Sequence, residues 1–163
     1  KNKQGVNKPY GGFWTSTAKK DQDWTSEWNE WMKHEMPHWM HPQGILLKPK
    51  TSNVFHIEND EDAKLLHEEF PLEAKGSSVS FSAFSGPSKY TIDFEAALQK
   101  YDGIHWGMKS GDDSDSWDFG RSGMWDMEST VWRDAGVLEV VEVVSVSQAE
   151  EGASVWAEGK KRK

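Results

Sequence analysis

Residues 125–132 read Trp125-Asp126-Met127-Glu128-Ser129-Thr130-Val131-Trp132, and the reading of these eight positions decides the fold. Successive side chains of a strand point to opposite faces. As a strand, the segment therefore puts Glu128, Thr130 and Trp132 on one side and Ser129 and Val131 on the other. One carboxylate then stands at a strand mouth among aromatic rings and hydroxyls. Rings beside a carboxylate hold it rigidly and partly dry it, which suits a group that must oppose a developing positive charge. The plainer reading is a solvated Glu at a strand end. Asp126 shares the Glu128 face and would complete a glycosidase-like pair of carboxylates, but it is read more simply as the strand's first residue, bonded to backbone amides.

Working outward, the second informative stretch is Tyr10-Gly11-Gly12-Phe13-Trp14-Thr15-Ser16-Thr17. Two glycines permit close backbone approach, and three consecutive hydroxyl residues follow. Residues 11–17 read as a short strand. Between the two stretches, Trp24, Trp28, Trp31, Met32 and Met36 recur at helical spacing over 21–35, an expected core stripe that Pro37 ends. Ile45–Leu47 and Asn53–Glu58 read as strands. Asn59 reads as a helix N-cap with Asp62 three residues on, and Ala63, Leu66 and Phe70 fall on one face of that helix. Ser78–Phe84 alternates as a half-buried strand. Asp93 caps a short helix bearing Phe94, Ala97, Leu98 and Tyr101, and Ile104-His105-Trp106 begins another strand. The acidic segment 111–116 reads as a flexible surface loop. Val137–Val146 is apolar on both faces apart from Glu139 and Glu142, so it is expected at the centre of a sheet.

These elements predict an α+β fold with mixed, largely antiparallel sheets and three short helices. Strands and helices do not alternate regularly, which argues against a doubly wound parallel sheet. The expected organisation is an N-terminal arm over 1–9, a single domain over 10–146 and a mobile tail over 147–163.

The 163 residues fit one domain of ordinary size, and 36% hydrophobic residues support a core even at a mean hydropathy of -0.80. Ten tryptophans help, since each ring supplies large apolar area from one position. A net charge of -8 argues against a passive nucleic-acid binder, which would present a basic face. With no cysteine there is no disulfide, thiolate metal site or Cys nucleophile. No apolar run approaches the roughly 18 residues of a bilayer span, and no secretory signal is visible, so a cytoplasmic location is compatible and the compartment is left open. The chain starts at Lys1 rather than Met, which reads as a processed or truncated product.

His34 and His38 have the i, i+4 spacing of a zinc pair, with His41 nearby, but Pro37 breaks the helix that would align them. His56, His67 and His105 are scattered along the chain. There is no Walker loop, no Gly-x-Gly-x-x-Gly and no Gly-x-Ser-x-Gly elbow. Asp112, Asp113 and Asp115 lack the Gly and terminal Glu of a calcium loop. No metal is expected.

Gly11–Thr17 resembles the second signature of ADP-ribosyltransferases, in which a glycine-led aromatic strand ends in a Ser/Thr pair. Residues 45–66 and 92–106 resemble the units that follow in small bacterial and phage members, and Trp125–Thr130 resembles the strand that carries their catalytic glutamate. The ordered match spans about residues 8–146. The family's first signature, an Arg or His that anchors NAD, is not found in residues 1–9; it lies before Lys1, or another group replaces it, Lys8 being the nearest cation.

The resemblance implies an ADP-ribosyltransferase-like fold and a mono-ADP-ribosyltransferase, of toxin or effector type, that cleaves the nicotinamide–ribose bond of NAD, its substrate. It implies Glu128 as the catalytic carboxylate and Ser16 as the residue orienting it. Lys8, Gly11, Gly12, Trp14, Thr15 and Thr17 would bind NAD, with Phe13 or Trp14 stacking on a ring and the other facing the core. The acceptor is unassigned, protein or nucleic acid. A protein partner or antitoxin is compatible, and no membrane is implied. The alternative is a non-catalytic, Trp-rich binding or structural module. A relative of RNA 2′-phosphotransferases would want more basic residues.

Overall fold

The computed structural model describes residues 11–72, 92–107 and 127–146. Among the described residues there are six strands, β1 (Phe13–Thr15), β2 (Gln43–Pro49), β3 (Val54–Ile57), β4 (Gly103–Trp106), β5 (Ser129–Trp132) and β6 (Leu138–Ser145). The same residues hold three α-helices, α1 (Glu27–Glu35), α2 (Asp60–Glu69) and α3 (Phe94–Lys100), with 3-10 turns at Lys20–Gln22, Pro37–Trp39 and Ala135–Val137. The α+β class and the mixed sheets are as expected. The expected strand at 78–84, the 111–116 loop, the arm 1–9, the tail 147–163 and the residues Lys8, Trp125 and Asp126 lie outside the described residues.

The chain gathers into two compact units, one of Lys1–Thr15 with Thr51–Val137, the other of Ser16–Lys50 with Leu138–Lys163. The first holds a four-stranded sheet in the order β1-β5-β4-β3. The pairs β1–β5 and β4–β5 are antiparallel and β3–β4 is parallel.

Both helices of this unit start where local chemistry dictates. Asn59 Oδ1 accepts from the Asp62 amide at 3.0 Å, and Asp62 Oδ2 accepts from the Glu58 amide at 2.9 Å. Asp60, Glu61 and Asp62 add negative charge at the positive end of the helix dipole. Asp93 Oδ1 caps α3 by accepting from the Ala96 amide at 2.9 Å. Ala63 and Leu66 of α2, with Phe94, Ala97 and Leu98 of α3, then bury their apolar stripes with Ile57, Ile104 and Val131 of the sheet, and these eight side chains form one core.

A polar knot fixes the register at one end of the sheet. Asp102 accepts from Thr51 Oγ1 at 2.6 Å and pairs with Arg133 at 2.6 Å, while its backbone joins Asn53 O and Arg133 N, each at 2.9 Å. The start of β4 is thereby tied to the start of β3 and the end of β5.

The second unit holds α1 and the two-stranded sheet β2–β6. Ser26 caps α1, its hydroxyl accepting from the Asn29 amide at 3.3 Å, and Pro37 opens the next 3-10 turn. Two sequence expectations fail here. The tryptophan stripe of α1 is not a buried core face: no residue of α1 is buried, and Trp28 is 37% exposed with its ring centroid 5.6 Å from that of Trp31. Trp rings are seldom fully enclosed, and these two lean on each other. Nor is β6 central. It pairs with β2 in a two-stranded sheet, with Val140, Val141 and Val143 all more than half exposed. Apolar residues on both faces show that a strand tolerates burial; burial itself requires a covering layer. Among the described residues, no helix is long and apolar enough to cross a membrane.

Candidate functional site

One face of the four-stranded sheet is apolar and meets the helices; the other carries the polar groups. The register explains this directly. Thr15 lies opposite Thr130, Thr130 opposite His105, and His105 opposite His56, so one row of side chains on a single face runs Thr15–Thr130–His105–His56. The neighbouring row, Trp14–Val131–Ile104–Phe55, takes the core face.

Glu128 joins the polar row from the residue just before β5. Its carboxylate Oε1 stands 3.3 Å from His105 Nδ1, and its side chain is only 14% exposed. His105 Nδ1 is also 3.0 Å from Thr130 Oγ1. A carboxylate only accepts, so in the tautomer protonated at Nδ1 this nitrogen donates toward Glu128 and Thr130. On its other side His105 Nε2 is 3.5 Å from Glu58 Oε1, and His56 Nδ1 is 3.8 Å from the same oxygen. Glu58 and His56 are more than half exposed, and His105 is 15% exposed. The imidazole therefore sits between a sheltered carboxylate and an open one.

Farther along this face, Trp132 lays its ring over Gly103, where a Cβ would come within 2.8 Å of the ring. Trp132 Nε1–H donates to Thr15 Oγ1 at 2.8 Å. The indole thus bridges β4 and β1 across β5 and orients the Thr15 hydroxyl.

The residues expected from sequence fall into three groups. Glu128, just before β5, and Thr15, on the neighbouring β1, lie on the polar face. Gly11 and Gly12 precede β1 with φ of 72° and 84°, left-handed conformations that a side chain would strain. Trp14 turns to the core side, its Nε1–H bonded to Gly11 O at 2.5 Å, so of the two candidate rings Phe13 is the one on the Thr15 side. Ser16 and Thr17 follow the end of β1 and belong to the second unit. The sequence reading missed His105, His56 and Glu58. His105 and His56 are 49 residues apart, and only the parallel pairing of β3 with β4 sets them side by side. The signal open to inspection was their position within β-patterned runs that also carry apolar residues.

Among the described residues, the one set of three or more His, Asp or Glu side chains whose donor atoms converge closely enough to hold a metal ion is His56, Glu58 and His105; His34, His38 and His41 form no such group. The arrangement can hold a carboxylate rigidly beside a hydroxyl row, and it can gather imidazole and carboxylate donors at the open end. Comparisons with protein-family models, with curated proteins and with solved structures each return no match for this chain.

Proposed function

We propose that this chain is a mono-ADP-ribosyltransferase, with Glu128 opposing the positive charge that builds on the ribose of NAD as the nicotinamide bond breaks. The observation supporting this is the adjacency of the glycine-led strand β1 and the glutamate strand β5. They pair antiparallel with Thr15 opposite Thr130, and the Glu128 carboxylate is sheltered on that same face. Such a carboxylate accepts a ribose hydroxyl proton more strongly as oxocarbenium character develops, so it stabilises the transition state more than the bound substrate. His105 Nδ1 stands 3.3 Å from the carboxylate, and the Thr15 hydroxyl, oriented by Trp132, is a second polar anchor on the same surface. Gly11 and Gly12 leave backbone open for close approach at the start of β1. The first NAD-anchoring cation is unassigned in this reading.

The test is incubation with NAD labelled in the nicotinamide and, separately, in the adenylate. Wild type releases nicotinamide and labels an acceptor, itself or water. Glu128→Gln keeps its fold and NAD binding while release falls by about 100-fold or more, the loss typical of removing one preorganised charge-stabilising group. Near-normal release from Glu128→Gln refutes the assignment. Absence of NAD binding and turnover in wild type favours the non-catalytic module, a reading to which the exposed Ile45, Val140, Val141 and Val143 of the two-stranded sheet lend weight.

A further inference from the structure

We propose that His56, Glu58 and His105 form a binding site for a divalent transition-metal ion of the zinc class. The site lies at the open end of the polar face and is argued from geometry independent of the NAD reading. Parallel pairing of β3 and β4 puts the two imidazoles side by side, with ring centroids 5.1 Å apart. Glu58 lies two residues beyond His56, and its carboxylate folds over Gly107. A Cβ on Gly107 would stand 2.2 Å from Glu58 Oε2, so the missing side chain is what gives the carboxylate its place. The three donor atoms all lie within 4.8 Å of one another.

The separations support a shared ion. The distances of 3.5 Å and 3.8 Å from Glu58 Oε1 to the two imidazoles are long for hydrogen bonds. Zinc holds its N and O ligands at about 2.0–2.2 Å, which sets tetrahedral neighbours roughly 3.3–3.5 Å apart. The His105–Glu58 pair already has that spacing, and His56, 59% exposed, has room to swing inward. In the Nδ1–H tautomer the Nε2 lone pair faces the Glu58 carboxylate, and a cation between these two acceptors fills the place a proton would otherwise take. Glu128 and Thr130 stand by Nδ1, the other ring nitrogen of His105, and fix how the metal-binding imidazole is turned. Two imidazoles and one carboxylate, with no thiolate, suit zinc, cobalt, nickel, iron or manganese better than calcium or magnesium, and three protein ligands leave a position for water.

The experiment uses the full chain, stripped with chelator and titrated with Co(II) while visible absorption is read, then with Zn(II) by calorimetry and by histidine ¹⁵N NMR. Expected are saturation at one ion per chain, a visible band displaced by zinc, and perturbed nitrogens of His56 and His105. His56→Ala and Glu58→Gln lose saturable binding with unchanged circular dichroism, and Glu128→Gln weakens binding by about 10-fold. Gly107→Ala keeps all three ligands yet weakens binding, because its methyl displaces the Glu58 carboxylate. No saturable binding in wild type overturns the proposal. So do zinc-induced shifts confined to other histidines, or unchanged binding in the His56→Ala/Glu58→Gln double variant. A metal result of either sign leaves the nicotinamide-release test standing.

Discussion

The four-stranded sheet and the two-stranded ribbon reverse what their compositions suggest. β6 of the ribbon reads Leu-Glu-Val-Val-Glu-Val-Val-Ser, yet its residues 139–143 are all exposed. β4 reads Gly-Ile-His-Trp, with a histidine in its middle, yet three of its four residues are buried and the histidine is half-buried. The difference is the covering layer. α2 and α3 lay apolar stripes on one face of the four-stranded sheet, and strands on both sides flank β4 and β5. Burial is therefore a property of the assembly, while the strand's own residues set only how much that burial stabilises.

The largest test of this contrast pairs one position from each sheet. Ile104→Ala empties a fully buried site and should cost about 2–5 kcal/mol in denaturant unfolding. Val143→Thr, at a position 58% exposed, should stay within about 0.5 kcal/mol. Equal losses would mean that the ribbon is covered in solution. Next comes Gly103→Ala, whose methyl meets the Trp132 ring. It should cost about 1–3 kcal/mol through overpacking, read as a lower urea midpoint at unchanged slope. A neutral result would mean that the indole moves aside easily. Trp132→Phe removes the donor to Thr15 and should cost roughly 1 kcal/mol beyond the lost ring area, which a double-mutant cycle with Thr15→Val isolates.

The smallest expected effect lies in the ribbon's unit. Hydrogen bonds from Lys33, then from Thr25, hold the Glu30 carboxyl below its ordinary value of 4.5. A depressed carboxylate contributes stability above the unfolded value and loses it as pH falls through the folded one. Glu30→Gln should therefore cost only a few tenths of a kcal/mol near neutrality, since the pair is solvent-screened, and progressively less as pH falls below the ordinary carboxyl value. A loss that grows toward low pH would contradict this sign.

The caps at Asn59 and Asp93 were legible because a cap is a local event, one side chain bonding an amide three residues on. The face shared by Glu128, Thr130 and Trp132 was legible for the same kind of reason, since a strand's side-chain period is fixed by its backbone. The start of α1 was read too early, at 21 instead of Glu27. The tryptophan spacing carries on through Trp24, but the backbone there is left-handed at φ 60° and cannot belong to a helix.

What the sequence determined by itself was the class of structure, the starts of α2 and α3 set by capping, and which side chains of each strand travel together. What only the tertiary structure decided was which strands became neighbours. That choice brought Thr15 opposite Thr130, set His105 between Glu128 and Glu58, and left the longest, valine-rich strand at a surface. Periodicity and capping act over a few residues and are written in them. Pairing across dozens of residues depends on the summed fit of helices, sheet and turns, which no short stretch contains.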